Sequence, residues 1–205
     1  MHVLFFDTET TGVPSRRGAP PSESASWPHV VQLAWLLADD DGNAVARETR
    51  LIAPDGFEIP EEATRVHGIT TEKAQTDGEP IAVVLHGFAL AVAHADLLVA
   101  HNISFDLPVL QAEYHRLYGR HGSEILGRTP GFCTMQASTD LCRIPSRFGS
   151  GYKWPSLDEL HRFLFGEGFD GAHNAGADVT ACARCFFELR RRGIATGRNP
   201  VRLAA

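Results

Sequence analysis

The stretch HVLFFDTETTG, residues 2–12, restricts what this chain can fold into more than any other. HVLFF is a continuous apolar run of β-branched and aromatic residues, the signature of a buried strand. It ends in Asp7 and Glu9, one residue apart. Alternate residues of a strand point to the same face, so the two carboxylates stand side by side. Like charges that close raise one another's pKa unless a positive charge lies between them. Either a cation belongs there, or the strand end frays into solvent. These residues alone leave both readings open.

At 205 residues the chain suits a single domain, since domains commonly run to about 100–200 residues. A hydrophobic content of 43% and a charged content of 21% are those of an ordinary globular protein. MHVLF runs straight into Asp7, and no apolar run approaches the ~18 residues of a membrane span. This predicts a cytoplasmic protein with neither leader nor membrane partner. Cys182 and Cys185 share a helical face in an alanine-rich run and read as core thiols. Cys133 and Cys142 are badly spaced to complete a zinc site with them. A net charge of −6 argues against a broad basic surface gripping long duplexes. It leaves room for a small site that holds a strand end and draws positive charge from bound metal.

The order of elements is predicted as follows. VPSRRGAPPSESASWP (13–28) reads as a long, mobile loop. HVVQLAWLLAD (29–39) and NAVARETRLIAP (43–54) read as strands joined by an Asp-Asp-Gly-Asn turn. Residues 79–94 have helical length, with Ile81, Leu85, Phe88 and Val92 on one side. ADLLVAHN is a short buried strand, and 104–119 a helix with Pro108 early in it. GFCTM is a last strand. SLDELHRFLFG (156–166) opens on a capping box, Ser156 with Glu159, and closes on Gly166. Residues 175–193 form a final helix with a basic last turn. Three strands, then alternating helix and strand, imply an α/β mixed sheet flanked by helices. The tail 194–205 is left unassigned.

Two further clusters bear chemistry. LVAHNISFDLPVL sets Asp106 in the first turns of a helix after a strand. HNAGADVTACA sets His173 five residues before Asp178, which falls in the first turns of the last helix. Singly, each is ordinary for a helix-dipole, capping or surface residue. Together and in this order, FDTETTG, HNISFD and HNAGAD resemble the three motifs of the DnaQ-like 3′–5′ exonucleases. These are the DEDDh subclass, named for four acids and a histidine. VHGIT (66–70) is similar to a segment of the proofreading branch, and LVAHNISFDLPVLQAE to the three-prime repair exonucleases. The resemblance spans residues 3–192. It implies a ribonuclease H-like fold: a five-stranded sheet, three strands antiparallel and the rest parallel, in one domain over 1–205.

Hydrolysis of a phosphodiester must bring a nucleophile to an anion and release an alkoxide, work that two hard divalent ions can share. Mg²⁺ and Mn²⁺ favour oxygen ligands, and four carboxylates with substrate phosphate would suit such a pair. The resemblance implies Asp7 bridging both ions, Glu9 and Asp178 on the ion that activates water, and Asp106 serving the other. It makes His173 the general base, in a Gly/Ala-containing segment that lets it swing in. Matching the proofreading branch, Thr8, Thr10, Thr11 and Gly12 lie beside the metals, with Glu62 and His67 as candidates for sugar and base. His67 suits a turn cap equally well. Asn102 and Phe105 join them, Phe105 either packed beneath the site or wedged against a base.

The implied activity is removal of 5′ mononucleotides from a free 3′ end, of single-stranded DNA first. One alternative is an exoribonuclease resembling ribonuclease T or oligoribonuclease. Another is a non-catalytic nucleic-acid-binding or polymerase-associated module, against which the intact acids argue. CRIPSRFGSGYKWP (142–155), with Arg143, Arg147, Tyr152, Lys153 and Trp154, has the composition of a single-strand platform, and equally of a solvated loop. No protein partner is named by the sequence, and a homodimer stays open.

Overall fold

The structure, a computed structural model, describes residues 1–119, 126, 128–147 and 149–195. One sheet holds five strands: β1 Val3–Thr10, β2 Val30–Ala38, β3 Ala44–Leu51, β4 Leu97–Ala100 and β5 Gly131–Cys133. Their order in space is β3-β2-β1-β4-β5. β1 to β3 are antiparallel, and β4 and β5 join parallel to β1. This is the mixed sheet predicted above. The helices among the described residues are α1 Glu61–His67, α2 Thr71–Asp77, α3 Ile81–Ala93, α4 Ile103–Tyr118, α5 Thr134–Ala137, α6 Thr139–Cys142, α7 Leu157–Phe165 and α8 Ala175–Arg191. None is long and apolar enough to cross a membrane.

The two-residue period of β1 builds both layers of core. Leu4 and Phe6 face α3 and α4, packing with Val84, Leu85, Phe88, Leu107 and Leu110. Val3 and Phe5 face the other way, onto Leu160 of α7 and Val179, Cys182 and Phe186 of α8. Phe6 meets Phe88 at 5.5 Å between ring centres, and Phe5 meets Phe186 edge-on at 5.3 Å. Fully burying each such ring contributes about 1.5–3 kcal/mol. The central strand is therefore clamped from both sides, and whatever follows Phe6 in sequence is held on a rigid support. Cys182 and Cys185 are buried free thiols in this second layer.

Local signals read from sequence are found in place. Ser156 caps α7 through a full capping box with Glu159, and Gly166 ends the helix with φ +81°. Asp39 Oδ1 accepts from the N–H groups of Asp41 and Asn43 and closes the β2–β3 turn. α1 and α2, seven residues each, were not predicted. Two turns are too short to display a 3.6-residue repeat. The 13–28 loop is irregular apart from one 3₁₀ turn at Ser24–Ser26. It is tied to α4: the Arg116 guanidinium donates to the carbonyls of Ser24 and Trp27, both at 2.6 Å. Buried Glu113, ion-paired to Arg116, accepts from Val30 N–H at 2.9 Å. The tail reading from residue 196 onward and Phe148 of the 142–155 loop lie outside the described residues.

Candidate active site

The site exists because β4 is short. It pairs with β1 only over Val3, Leu4 and Phe5, whereas β1 continues to Thr10. Past Phe5, that edge of β1 has no neighbouring strand to satisfy its backbone. The chain turns out of β4 into α4, whose first turn brings Asp106 back to the open edge. Asp106 Oδ1 accepts from the Thr8 N–H at 3.1 Å and from the Thr8 hydroxyl at 2.7 Å. Thr8 continues the face of Leu4 and Phe6, the face on which α4 packs, which is why these two residues meet. One oxygen of Asp106 is thereby held by both donors of Thr8.

Asp7 and Glu9 continue the opposite face, below which α8 begins. The start of α8 is fixed three ways. Asn174 accepts from the N–H groups of Gly176 and Ala177. Ala175 N–H donates to Gln32 Oε1 at 3.0 Å, and Gln32 is the cross-strand partner of Glu9. Gly176 lies so close to β3 that a Cβ there would sit 2.6 Å from Thr49 Oγ1. So held, Asp178 in the first turn of α8 comes up beside β1. Carboxylate oxygens of Asp7, Glu9 and Asp178 lie within 4.8 Å of one another.

His173 sits in the turn between α7 and α8 with φ +66°, a left-handed conformation that costs a residue with a Cβ free energy. Its N–H donates to Asp178 Oδ2 at 3.0 Å. The backbone of the histidine is thus tied to one of the acids while its side chain is exposed in the cleft.

The electrostatics are those of crowded, buried acids. Burial first, then the charges of Asp106, Asp178 and Glu9, push the Asp7 carboxyl well above the usual carboxylate range. Burial, then Asp178 and Asp106, raises Glu9 to about 7. Burial raises Asp106 to about 6 against the opposing hydrogen bonds from Thr8. Burial likewise raises Asp178 to about 6. Among the described residues, no lysine or arginine forms an ion pair with any of the four. Hard oxygen donors, convergent and unneutralised by the protein, are what a divalent cation requires. The residues fit such an ion, and the strand end is not frayed. Glu9 is only 9% exposed, inside a strand that runs on to Thr10.

A cleft of about 510 Å³ gathers Asp7, Thr8, Glu9, Asn102, Phe105, Asp106, His173 and Asp178. Asn102 precedes α4 and accepts from the Ser104 hydroxyl at 2.8 Å. Phe105 both lines the cleft and packs against the core. Thr10, Thr11, Gly12, Glu62 and His67 do not line this cleft. The Thr10 hydroxyl donates to the Gly12 carbonyl at 2.7 Å, and Thr11 exchanges bonds with the backbone of His29. Glu62 is exposed and paired with Arg65 at 3.8 Å. His67 Nδ1 accepts from Ile69 N–H at 3.0 Å, the turn-capping role. The cleft has a further wall that sequence reasoning missed: His101, Met135, Pro155, Leu157 and Phe169. Only His101 carried a visible signal, as the residue before Asn102 in the second motif. The others are apolar residues brought in by packing.

An antiparallel trio joined to parallel strands, with four acids and a histidine at the end of the central strand, defines a ribonuclease H-like nuclease domain. A family model described as exonuclease matches residues 4–186, and the chain belongs to that family, the DnaQ-like 3′–5′ exonucleases. The chain is 28% identical over 193 residues to DNA polymerase III PolC-type of Lactococcus lactis subsp. lactis (strain IL1403), covering 92% of this chain and 10% of the polymerase. It is 27% identical over 207 residues to the uncharacterized exonuclease CP81 of Escherichia phage 186, covering 94% of this chain and 90% of the phage protein. Its fold matches E. coli exonuclease I in complex with a dT13 oligonucleotide with a TM-score of 0.73 at 20% identity. That match covers 93% of this chain and 41% of exonuclease I. The chain thus spans a tenth of the polymerase and less than half of exonuclease I.

Proposed function

We propose that the protein removes 5′ mononucleotides one at a time from the 3′ end of single-stranded DNA, in the cytoplasm, with two Mg²⁺ or Mn²⁺ ions. The observation that carries this reading is the meeting of Asp7, Glu9, Asp106, Asp178 and His173 in one cleft. Asp7, Glu9 and Asp178 would hold one ion. Asp7 and Asp106 would hold a second. Such ions supply charge neutralisation at the phosphate, a lowered pKa for the attacking water and a place for the departing oxygen.

The remaining work belongs to the chain itself. His173 takes the proton of the attacking water on a ring nitrogen, and its backbone N–H ties the residue to Asp178. Thr8 fixes the orientation of Asp106. Phe105 and Asn102, on the wall of the cleft, hold the sugar and base of the end nucleotide. Thr10, Thr11 and Gly12 continue β1 past Glu9 and shape the adjoining turn, with Glu62 and His67 on α1 beside it. A cleft of this size suits a nucleotide, since ligand sites commonly enclose about 300–1,000 Å³. The preference for single-stranded DNA takes support from the dT13 bound to exonuclease I and from the exposed rings of the 142–155 loop. Four free thiols suit a reducing compartment.

The test is degradation of matched, labelled DNA and RNA single strands with Mg²⁺ and with Mn²⁺, for the wild type and Asp7→Ala. The expected outcome is shortening of DNA from the 3′ end, faster than of RNA. Asp7→Ala should lose roughly 10⁴-fold, reflecting the several kcal/mol that a bound divalent ion supplies. Faster cleavage of RNA would move the assignment to an exoribonuclease. Metal-independent binding with no cleavage would make the chain a binding module.

A further inference from the structure

The described parts of the 142–155 loop, 142–147 and 149–155, form an arm. Pro145 and Tyr152 form an antiparallel bridge, Ser146 N–H donates to the Gly151 carbonyl at 3.0 Å, and Lys153 N–H donates to that of Ile144 at 2.9 Å. At its root, Tyr152 is 44% and Trp154 60% exposed. The next residue, Pro155, is buried and lines the cleft that holds the acids.

His101, just after β4, lines the same cleft and grips that root. Its Nε2 lies 3.0 Å from the Pro155 carbonyl, and its Nδ1 lies 2.9 Å from the Thr134 hydroxyl. A carbonyl only accepts, so Nε2 carries the proton and Nδ1 accepts from Thr134. Burial pushes the ring down to about 4, so it is neutral under working conditions and both nitrogens are engaged. The ring has nothing left with which to act on substrate. It joins three elements: the end of β4, the start of α5 just after β5, and the arm root. Another tie at the root, Lys153 Nζ to Glu159, is a solvent-exposed pair, and such pairs add little stability.

We infer that His101 is a positioning residue, fixing the arm against the cleft so that its rings and cations hold the strand upstream of the bond being cut. This rests on the exonuclease reading above. A substrate of one nucleotide never reaches the arm, whereas a longer strand must cross it. His101 should therefore matter only for the longer one.

The experiment measures kcat and KM with Mn²⁺ on the p-nitrophenyl ester of thymidine 5′-monophosphate and on a single strand of about 20 nucleotides. For His101→Leu, which keeps bulk and removes both bonds, KM for the strand should rise about tenfold, the effect of losing one base–aromatic stack. Both constants on the ester should stay within about twofold. His101→Gln, which keeps a donor near the Nε2 position, should restore most of the strand KM. Trp154→Ala, a surface change, should raise the strand KM similarly, and adding it to His101→Leu should raise it little further. Equal losses on ester and strand would overturn the inference, because His101 would then be supporting the acids. So would an unchanged strand KM in both His101→Leu and Trp154→Ala. A wild type that cuts neither substrate would overturn the exonuclease reading itself, and this inference with it.

Discussion

The two sides of the cleft are built to different standards. The acidic floor stands on β1, clamped between two layers of core, and each acid is braced: Asp106 by two bonds from Thr8, Asp178 by a helix start pinned to Gln32. The histidine rim is a turn. His173 is exposed, holds a left-handed backbone and is fixed by one bond from its own N–H. Charge that must face charge is set rigidly, because four carboxylates repel and would otherwise splay apart. His173, the proposed base, sits on a turn whose backbone strain must be offset by its neighbours.

The comparison breaks most sharply if the rim is removed and the floor survives. His173→Ala should lose about 10²–10⁴-fold in rate, the usual worth of a positioned general base. Mn²⁺ and substrate affinity, read by calorimetry and by strand binding, should change little. Near-normal turnover would dismiss His173 as the base. The reverse disturbance is smaller. Thr8→Val keeps the shape but removes the hydroxyl bond to Asp106, and should cost about 10–100-fold in metal affinity or activity, as lost supports of metal ligands do. Thr8→Ser should recover most of it. An unaffected Thr8→Val would mean that packing alone orients Asp106.

The smallest effect is on stability, and only the floor should show it. Carboxyls raised to about 6 and about 7 bind protons more tightly in the folded chain than in the unfolded one, where they titrate near 4. Their contribution is present at low pH and is lost as pH rises from about 4 through about 7. The metal-free Tm should therefore fall between pH 5 and pH 8. Saturating Mg²⁺ or Asp7→Asn should flatten that fall. Glu113, lowered chiefly by His29 and Arg116 against its own burial, acts in the opposite sense on the acid side of this window, and His101, pushed down to about 4 by burial, opposes the fall up to about pH 6.5, where it is outnumbered by the four acids. A level Tm in metal-free wild type across pH 5 to 8 would show that the acids do not strain the fold.

Much of this was legible from sequence because it rests on short-range periodicity. The alternation in HVLFFDTET placed Asp7 and Glu9 on one face, and Ser156, Glu159 and Gly166 marked α7 at both ends. The order of three acidic motifs identified the floor. What could not be read depends on partners far along the chain. Thr8 meets Asp106 across 98 residues, and Ala175 meets Gln32 across 143. Nothing in the local pattern of either says that they touch. Thr10, Thr11 and His67 matched motifs, yet their hydrogen bonds close turns. Met135 and Phe169 are apolar residues that no pattern distinguishes from core until the walls are assembled.

The brevity of β4 has a consequence of its own. A strand two residues longer would pair with Asp7 and Thr8, seal that border with ordinary backbone bonds and leave α4 nowhere to present its carboxylate. The catalytic opening is a gap in the weave, kept open by a thread that turns away early. Whatever lengthens that thread would mend the cloth and end the chemistry.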